Sequence, residues 1–206
     1  MTSDLTDAPP SYFTATEMPD LDWWAVLWPD PEDLLRRVGI RPGDRVVDLC
    51  CGYGYFTAPL SRLVANGTVI AVDLSVEMLE RARQEVAREG LGNVQFLLAD
   101  ARQLADAIAQ PVDVVFLANT LHGVGDKKLL CVAIRRVLVP GGRLVVINWH
   151  ALAREQTPVL GRPRGPKTEL RMSPIATRAA VEPAGFREVR VVDVGPYHYA
   201  AIFETT

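Results

Sequence analysis

The stretch that decides the fold is residues 45–57, RVVDLCCGYGYFT. Its apolar start predicts a buried β-strand, and the residues after Gly54 have the apolar spacing of an α-helix. Two glycines one residue apart, directly after a strand, indicate a turn whose backbone leaves room for a ligand. The stretch therefore predicts the strand–turn–helix unit with which a doubly wound α/β fold begins.

The rest of the chain repeats this alternation of strand and helix. Strands are predicted at 45–50, 68–73, 92–100, 112–118 and 143–149, and helices at 31–39, 54–65, 76–89, 102–109, 126–139 and 173–185. Such alternation predicts a parallel sheet covered on both faces. Two closing strands, 187–194 and 197–204, are joined by a short turn that permits only antiparallel pairing. We therefore expect a doubly wound α/β fold with a seven-stranded, mostly parallel sheet and an antiparallel strand near the C-terminus.

The chain divides into an N-terminal arm, residues 1–30, and one domain, residues 31–206. The arm is rich in proline and acids, and its second half contains three tryptophans. These rings either anchor the arm on the domain or face a ligand as part of a lid, and Tyr12 and Trp28 are the arm's candidate substrate contacts. Residues 151–172 have little periodicity and many arginines, which predicts a functional loop.

Composition excludes several classes of function. The net charge of −3 argues against a general affinity for nucleic acid. No apolar run reaches the roughly 20 residues of a membrane span, and the N-terminus lacks the features of a secretory signal, which predicts a cytoplasmic protein. The three cysteines have no metal-ligand or disulfide spacing, so we expect reduced thiols and no metal. A monomer and a homodimer both remain open.

Three acids follow the first three strands and indicate the ligand. Asp48 lies near the end of the first strand, where a carboxylate would repel a pyrophosphate but attract an ammonium or sulfonium group. Asp73 lies where a carboxylate accepts hydrogen bonds from ribose hydroxyls. Asp100, followed by Ala101, could meet an adenine amino group. S-adenosylmethionine combines a ribose, an adenine and a cationic tail without phosphate, and it fits all three acids.

The same motifs resemble those of class I S-adenosylmethionine-dependent methyltransferases. VVDLCCGYGYFT resembles the family's first motif, and IAVDLS, LLADA and VVFLANTLHGV resemble the next three. VLVPGGRLVVINW resembles the turn before the fifth strand, and AGFREVRVVDV with HYAAIF resembles the closing antiparallel pair. The likeness covers residues 31–205 and is similar to the quinone-biosynthesis type. Cys50 departs from the pattern, since it stands where the family usually has its first glycine.

The resemblance implies which residues contact the cofactor and what the protein does. The implied cofactor contacts are Asp48, Cys50, Gly52, Tyr53, Gly54, Asp73, Leu74, Met78, Asp100, Ala101 and Asn119. The implied activity is methyl transfer to a small-molecule acceptor by in-line displacement, in which the main task of the protein is to position the acceptor.

A general base is needed only where the acceptor must lose a proton. His122 and His150 follow the fourth and fifth strands and are the candidate catalytic residues, with Tyr12 and Tyr199 as further candidates. In the basic loop, Arg154, Arg162, Arg164 or Arg171 is expected to hold an anionic group of the acceptor, and the alternative is a solvated loop.

Two other functions remain open from the sequence. The first is a non-catalytic module that binds S-adenosylmethionine and regulates a partner. The second is an NAD-type oxidoreductase, which is disfavoured by Asp48, by the closing hairpin and by Thr57, because a dinucleotide fingerprint has a glycine at that place.

Overall fold

The computed structural model describes residues 23–206, so Tyr12 lies outside the described residues. The helices are α1 (Trp24–Leu27), α2 (Pro31–Arg37), α3 (Thr57–Val64), α4 (Val76–Arg88), α5 (Leu104–Ala107), α6 (Lys127–Val137) and α7 (Pro174–Val181). The strands are β1 (Arg45–Leu49), β2 (Thr68–Asp73), β3 (Val94–Leu98), β4 (Val112–Ala118), β5 (Leu138–Trp149), β6 (Pro158–Val159), β7 (Arg162–Pro163), β8 (Phe186–Asp193) and β9 (His198–Thr205). No helix within this range has the length and apolar character of a membrane span.

Seven strands form one sheet in the order β3-β2-β1-β4-β5-β9-β8. Strands β1 to β5 pair in parallel, whereas β9 runs antiparallel to both of its neighbours, β5 and β8. The predicted architecture, mostly parallel with an antiparallel strand near the C-terminus, is therefore confirmed. The order reverses between β1 and β4, which is the point where doubly wound sheets bind ligands.

The sheet separates two hydrophobic layers, because neighbouring residues of a strand point to opposite faces. Val47 of β1 packs in the layer with α5, α6 and α7. Val46 packs in the layer with α2, α3 and the described part of the arm. Both valines are fully buried, as expected for the central strand of a parallel sheet.

The ends of the helices follow from their capping residues. Asp30, Ser75, Asp126 and Ser173 each accept a hydrogen bond from a backbone N–H in the first turn of α2, α4, α6 and α7. Proline begins both α2 and α7, where its missing N–H costs nothing.

Apart from shifts at the ends of other elements, such as β3, the structure differs from the sequence prediction in three places. Strand β5 begins at Leu138 rather than at 143, because Leu138 pairs with Val112 before the Pro-Gly-Gly segment shifts the register. The arm contains the short helix α1, and Trp24 within it packs in the core of the domain with the flanking Trp23 and Trp28. Residues 151–172 include the small hairpin of β6 and β7.

Candidate active site

The carboxyl ends of β1, β4 and β5 bring many of the predicted site residues to one edge of the sheet. The loop after β1 contains Cys50, Gly52, Tyr53 and Gly54. Asn119 and His122 follow β4, and His150 follows β5. The topology therefore places these candidate cofactor residues and both candidate catalytic histidines beside the point where the strand order reverses.

The loop after β1 has backbone conformations that suit glycine. Gly52 and Gly54 have φ angles of 54° and 87°, and Cys50 has a φ of 57°. A Cβ at Gly54 would lie 2.8 Å from the Cβ of Ala82, so glycine allows the loop to approach α4. Cys50 occupies a left-handed conformation, which gives a physical reason for the glycine that the resemblance implies at this place. Burial and the nearby carboxylate of Asp73 raise the pKa of the Cys50 thiol to about 12, so this thiol is neutral.

Asp73 connects the loop after β1 to the end of β2. Its Oδ2 accepts a hydrogen bond from the Gly52 N–H at 2.8 Å, and its Oδ1 accepts one from the Ser75 N–H at 3.0 Å. Each carboxylate oxygen can accept a second hydrogen bond. Asp73 is therefore held in place and keeps acceptor capacity for hydroxyl donors of a ligand.

Asp48 is buried, with 3% of its surface exposed. Its Oδ2 accepts a hydrogen bond from the Thr57 hydroxyl at 2.6 Å. Burial raises the pKa of Asp48 to about 7, the bond from Thr57 opposes this shift, and the charge of Asp73 adds to it. A positive charge brought by a ligand would favour the ionised form of Asp48.

Asp100 begins the short turn that follows β3. Its carboxylate accepts hydrogen bonds from the Arg102 N–H and Nε–H, both at 2.9 Å. The bond from the Arg102 side chain holds the pKa of Asp100 below its usual value. Ala101 is half-buried beside it, Met78 is half-buried near the first turn of α4, and Leu74 is 69% exposed after β2. These side chains follow β2 and β3 on the side of the loop opposite to β4.

Buried polar atoms without hydrogen-bond partners concentrate at the same edge. A buried polar group normally has a partner, so a cluster of such groups indicates a place where a ligand or water supplies it. Within residues 23–206 the unpartnered side-chain atoms at this edge belong to Trp23, Trp24, Tyr53, Asn119, His122, Asn148, Arg171 and His198.

His122 lies in the turn after β4 and is 5% exposed. Neither ring nitrogen has a hydrogen-bond partner of good geometry among the described residues, although the Asn148 side chain lies near the ring. Burial lowers the pKa of His122 to about 4, more strongly than Asn148 opposes the shift. The ring is therefore neutral at pH 7 and can accept a proton or a hydrogen bond.

The other candidate bases have partners of their own. The His150 Nε2 lies 3.0 Å from Asp193 Oδ1 at the closing hairpin. The Tyr199 hydroxyl donates to the Met172 carbonyl at 2.9 Å and lies 2.6 Å from the Thr177 hydroxyl, inside the core. These contacts orient both side chains within the fold.

The arm and the basic loop also reach this edge. Trp28 is buried and donates from its Nε1 to the Val194 carbonyl at 2.5 Å, which favours the anchoring interpretation of the arm. Arg154 and Arg162 are exposed, and Arg164 is half-buried with its guanidinium 5.9 Å from the Trp23 ring centre. The Arg154 Nε–H donates to the Gly165 carbonyl at 3.1 Å.

Comparison with known proteins agrees with this geometry. The model of a family described as a methyltransferase domain matches residues 40–169. The chain belongs to this methyltransferase domain family. The match includes the glycine loop, the three acids and both candidate histidines.

Several relatives of this methyltransferase domain are named ubiquinone/menaquinone biosynthesis C-methyltransferase UbiE. The protein from Teredinibacter turnerae is 42% identical over 113 residues, which are 54% of this chain and 45% of that protein. The protein from Marinomonas sp. is 38% identical over 117 residues, which are 56% of this chain and 46% of that protein. The chain thus spans about half the length of the curated relatives it matches.

A solved SAM-dependent methyltransferase from Aquifex aeolicus has a similar fold throughout. Its TM-score is 0.77 at 29% identity, with 91% of this chain and 94% of that chain covered.

The structure brings three further residues into the site of this methyltransferase domain. Thr57 stands where a dinucleotide fingerprint has a glycine, and its hydroxyl donates a hydrogen bond to Asp48. Asn148, near the end of β5, has an unpartnered Oδ1. His198, the first residue of β9, is buried between Trp28 and Trp149, with ring centres 4.6 and 4.1 Å away. A polar residue at the end of a buried strand was the available signal for Asn148.

Proposed function

We propose that this protein is an S-adenosylmethionine-dependent methyltransferase that acts on a small-molecule acceptor. The observation that carries the proposal is the buried carboxylate of Asp48 beside a glycine loop, in a place that favours a cationic, phosphate-free ligand. Asp73 retains acceptor capacity next to this loop, and the unpartnered Oδ1 of Asn119 lies at the neighbouring strand end. These groups fit a nucleoside with a charged amino-acid tail.

When bound, S-adenosylmethionine supplies a methyl group already activated by a sulfonium. The residues of the chain then have to bind the cofactor, orient the acceptor and shield the reaction from water. Asp48 and Asp73 hold the loop and offer negative charge, while the buried rings of Trp23, Trp24 and Tyr53 keep water from this edge. The neutral ring of His122 would accept a hydrogen bond from the acceptor.

The same proposal includes the chemical class of the acceptor. The relatives are named for carbon methylation in ubiquinone and menaquinone biosynthesis, so precursors of these quinones are the first acceptors to test. The arginines of residues 151–172 support an anionic acceptor. A cytoplasmic location and a monomeric or homodimeric state stay predictions of the sequence.

Calorimetry tests the cofactor half of the proposal. We expect S-adenosylmethionine and S-adenosylhomocysteine to bind the full chain, and NAD to give no heat of binding, because Asp48 would repel its pyrophosphate. Preferential binding of NAD would contradict the proposal and return the protein to the oxidoreductase class.

Release of S-adenosylhomocysteine tests the catalytic half. The enzyme is incubated with S-adenosylmethionine and a panel of quinone precursors and carboxylated aromatic compounds. We expect product release with at least one acceptor, with a His122→Ala variant slower if the acceptor must lose a proton. Binding of S-adenosylmethionine without turnover on any acceptor would favour the non-catalytic regulatory module.

A further inference from the structure

Among the described residues, the buried guanidinium of Arg171 is hydrogen-bonded only by neutral groups. Arg171 is 7% exposed and lies at the end of the basic loop. Its Nε donates to the Pro166 carbonyl at 3.2 Å, and its Nη2 donates to the Thr157 hydroxyl at 2.9 Å and to the Arg164 carbonyl at 2.8 Å. Its Nη1, which carries two N–H donors, has no partner among residues 23–206.

Arg143 and Arg62 are examples of arginines in the described chain that have acidic partners, whereas the half-buried Arg45 has an unpartnered Nε and donates from its Nη1 to Gln110. Arg143, with 15% of its side chain exposed, lies 3.0 Å from Asp44. Arg62 pairs with Glu32 and Glu89. Arg171 is more buried than Arg143 yet forms no ion pair with a described acid. An uncompensated buried charge is costly, so a retained one points to a negative partner that arrives with a ligand.

Arg171 lies beside the edge of the sheet that contains the candidate active site, where the methyl acceptor is expected to bind. Its guanidinium carbon lies 4.8 Å from the ring centre of Trp149, the last residue of β5. After burial, which is the main cause, the charge of Arg171 also contributes to the lowered pKa values of His122 and His198. Burial lowers the pKa of Arg171 itself, the charge of Arg154 adds to this, and Glu155 opposes it.

A purely structural role explains only part of these contacts. The three bonds from Nε and Nη2 connect Thr157, Arg164 and Pro166 and so stabilise the loop. Within residues 23–206 they leave Nη1 without a hydrogen bond and the charge without an ion pair. A neutral donor would make comparable bonds without the desolvation of a full charge. The unused nitrogen and the uncompensated charge are what the structural role leaves unexplained.

We propose that Arg171 holds a carboxylate of the methyl acceptor, which makes the substrate a small molecule with a carboxylate group. This inference rests on the proposed methyltransferase function and selects one arginine of the loop as the anchor. Nη1 donates an N–H group to the carboxylate, and the Trp149 ring packs against the guanidinium and fixes its plane. Arg154 and Arg162, which are exposed, are less suited because water screens their charges.

Benzoate and benzamide are matched probes, since they have the same shape and only benzoate is charged. Their binding to the full chain is measured by calorimetry and by the shift of the unfolding temperature, with S-adenosylhomocysteine present. We expect benzoate to bind and to raise the unfolding temperature, and benzamide to do neither. Equal binding of the two probes, or no binding of benzoate at millimolar concentration, would overturn the inference.

The variant Arg171→Gln and its control Lys167→Gln each remove one positive charge from the same loop. Lys167 is exposed, so the variant Lys167→Gln measures only the effect of removing one positive charge from the loop. We expect Arg171→Gln to weaken benzoate binding at least tenfold and Lys167→Gln to leave it within twofold. If both variants weakened benzoate binding equally, the effect would be explained by net charge alone, and Arg171 would be rejected as the anchor.

Two readouts keep this inference separate from the proposed function. S-adenosylmethionine affinity is expected to stay unchanged in Arg171→Gln. If the wild-type chain binds no S-adenosylmethionine, the proposed function fails whatever benzoate does. If Arg171→Gln does not fold, Arg171→Lys replaces it, and we expect several-fold weaker benzoate binding with the preference over benzamide retained. Unchanged benzoate affinity in Arg171→Lys would contradict the assigned geometry.

Discussion

The carboxyl group of Asp48 lies in surroundings that favour its neutral form. Burial is the main cause, and the neighbouring charge of Asp73 adds to it, so the pKa rises to about 7 although Thr57 donates a hydrogen bond. A cationic ligand reverses this balance because it favours the carboxylate. Ligand binding and the ionisation of Asp48 are therefore linked.

The first prediction concerns the pH dependence of S-adenosylmethionine binding. Below pH 7, part of the binding energy must ionise Asp48, so wild-type affinity should increase with pH by up to about tenfold per unit and level off above pH 7. The variant Asp48→Asn should lack this component and bind on the order of tenfold more weakly at pH 8. Calorimetry from pH 5.5 to 8 measures both.

The variant also serves as the control for titration of the ligand itself. The amino group of S-adenosylmethionine titrates equally in both experiments, so the difference between the two curves isolates Asp48. Parallel curves for wild type and Asp48→Asn would show that this carboxylate does not interact with the bound cation.

For single residues, sequence patterns located the three acids better than they located the hydrogen-bond partners of these acids. Asp48, Asp73 and Asp100 lie at or just after the ends of strands, and the sequence alone shows this position. The bond from Thr57 to Asp48 spans nine residues and depends on how α3 starts, which no strand pattern indicates. Arg171 was one of several arginines in a loop, and only its burial separates it from Arg154 and Arg162.

At the level of the elements, the contact between the glycine loop and α4 is the sharpest steric constraint. A methyl group at Gly54 would meet Ala82 of α4 at 2.8 Å, and Gly54 has a φ of +87°. A β-carbon is therefore disfavoured by the neighbouring helix as well as by the local backbone.

The second prediction separates these two costs with a matched pair of variants. Gly54→Ala should lower the free energy of unfolding by about 2–4 kcal/mol, from backbone strain and overpacking together. Gly43 has the same φ of +87° with no atom within 4 Å of a built Cβ, so Gly43→Ala should cost only about 1 kcal/mol. Urea unfolding measures both; equal losses would remove the role assigned to Ala82.

The third prediction concerns the docking of α1. Trp28→Phe removes the bond from Nε1 to the Val194 carbonyl and should destabilise the fold by about 1–3 kcal/mol. Val26, on the same segment, is 52% exposed, so Val26→Ala should change the unfolding free energy by less than about 0.5 kcal/mol. If both variants had the stability of the wild type, the arm would not be anchored through Trp28.

Local sequence patterns predicted most of the helices and strands, but not those that depend on contacts between residues distant in the sequence. Strands β2 and β4 have the predicted bounds, 68–73 and 112–118, because continuous apolar runs bounded by turns define buried strands. The early start of β5 depends on pairing between Leu138 and Val112. The helix α1 depends on tryptophans that pack against a distant part of the chain. Periodicity carries no information about either contact.

For the whole molecule, the buried histidines determine how the fold responds to acid. Burial lowers the pKa of His198 well below 6.5, with smaller contributions from His150, Arg171 and His122, and burial lowers that of His122 to about 4. The unfolded chain binds these protons below pH 6.5 whereas the native state does not. Their contribution to stability is therefore present above pH 6.5 and decreases as the pH falls.

The fourth prediction is a steeper acid response in the wild type than in His198→Gln. The unfolding temperature of the wild type should fall more between pH 6.5 and 4.5, since glutamine does not titrate. Asp48 acts in the opposite direction, because its raised pKa favours the native state as the pH falls through 7, but it is common to both proteins. Identical slopes would mean that His198 does not contribute.

The antiparallel strand β9 has a consequence for synthesis of the protein on the ribosome. Strand β8 emerges first, but in the finished sheet it touches only β9, which links it to β5. Until β9 has been made, β5 remains an open edge with unpaired N–H and C=O groups, able to recruit strands of other nascent chains. Interrupting translation between residues 194 and 198 should therefore yield an aggregation-prone intermediate.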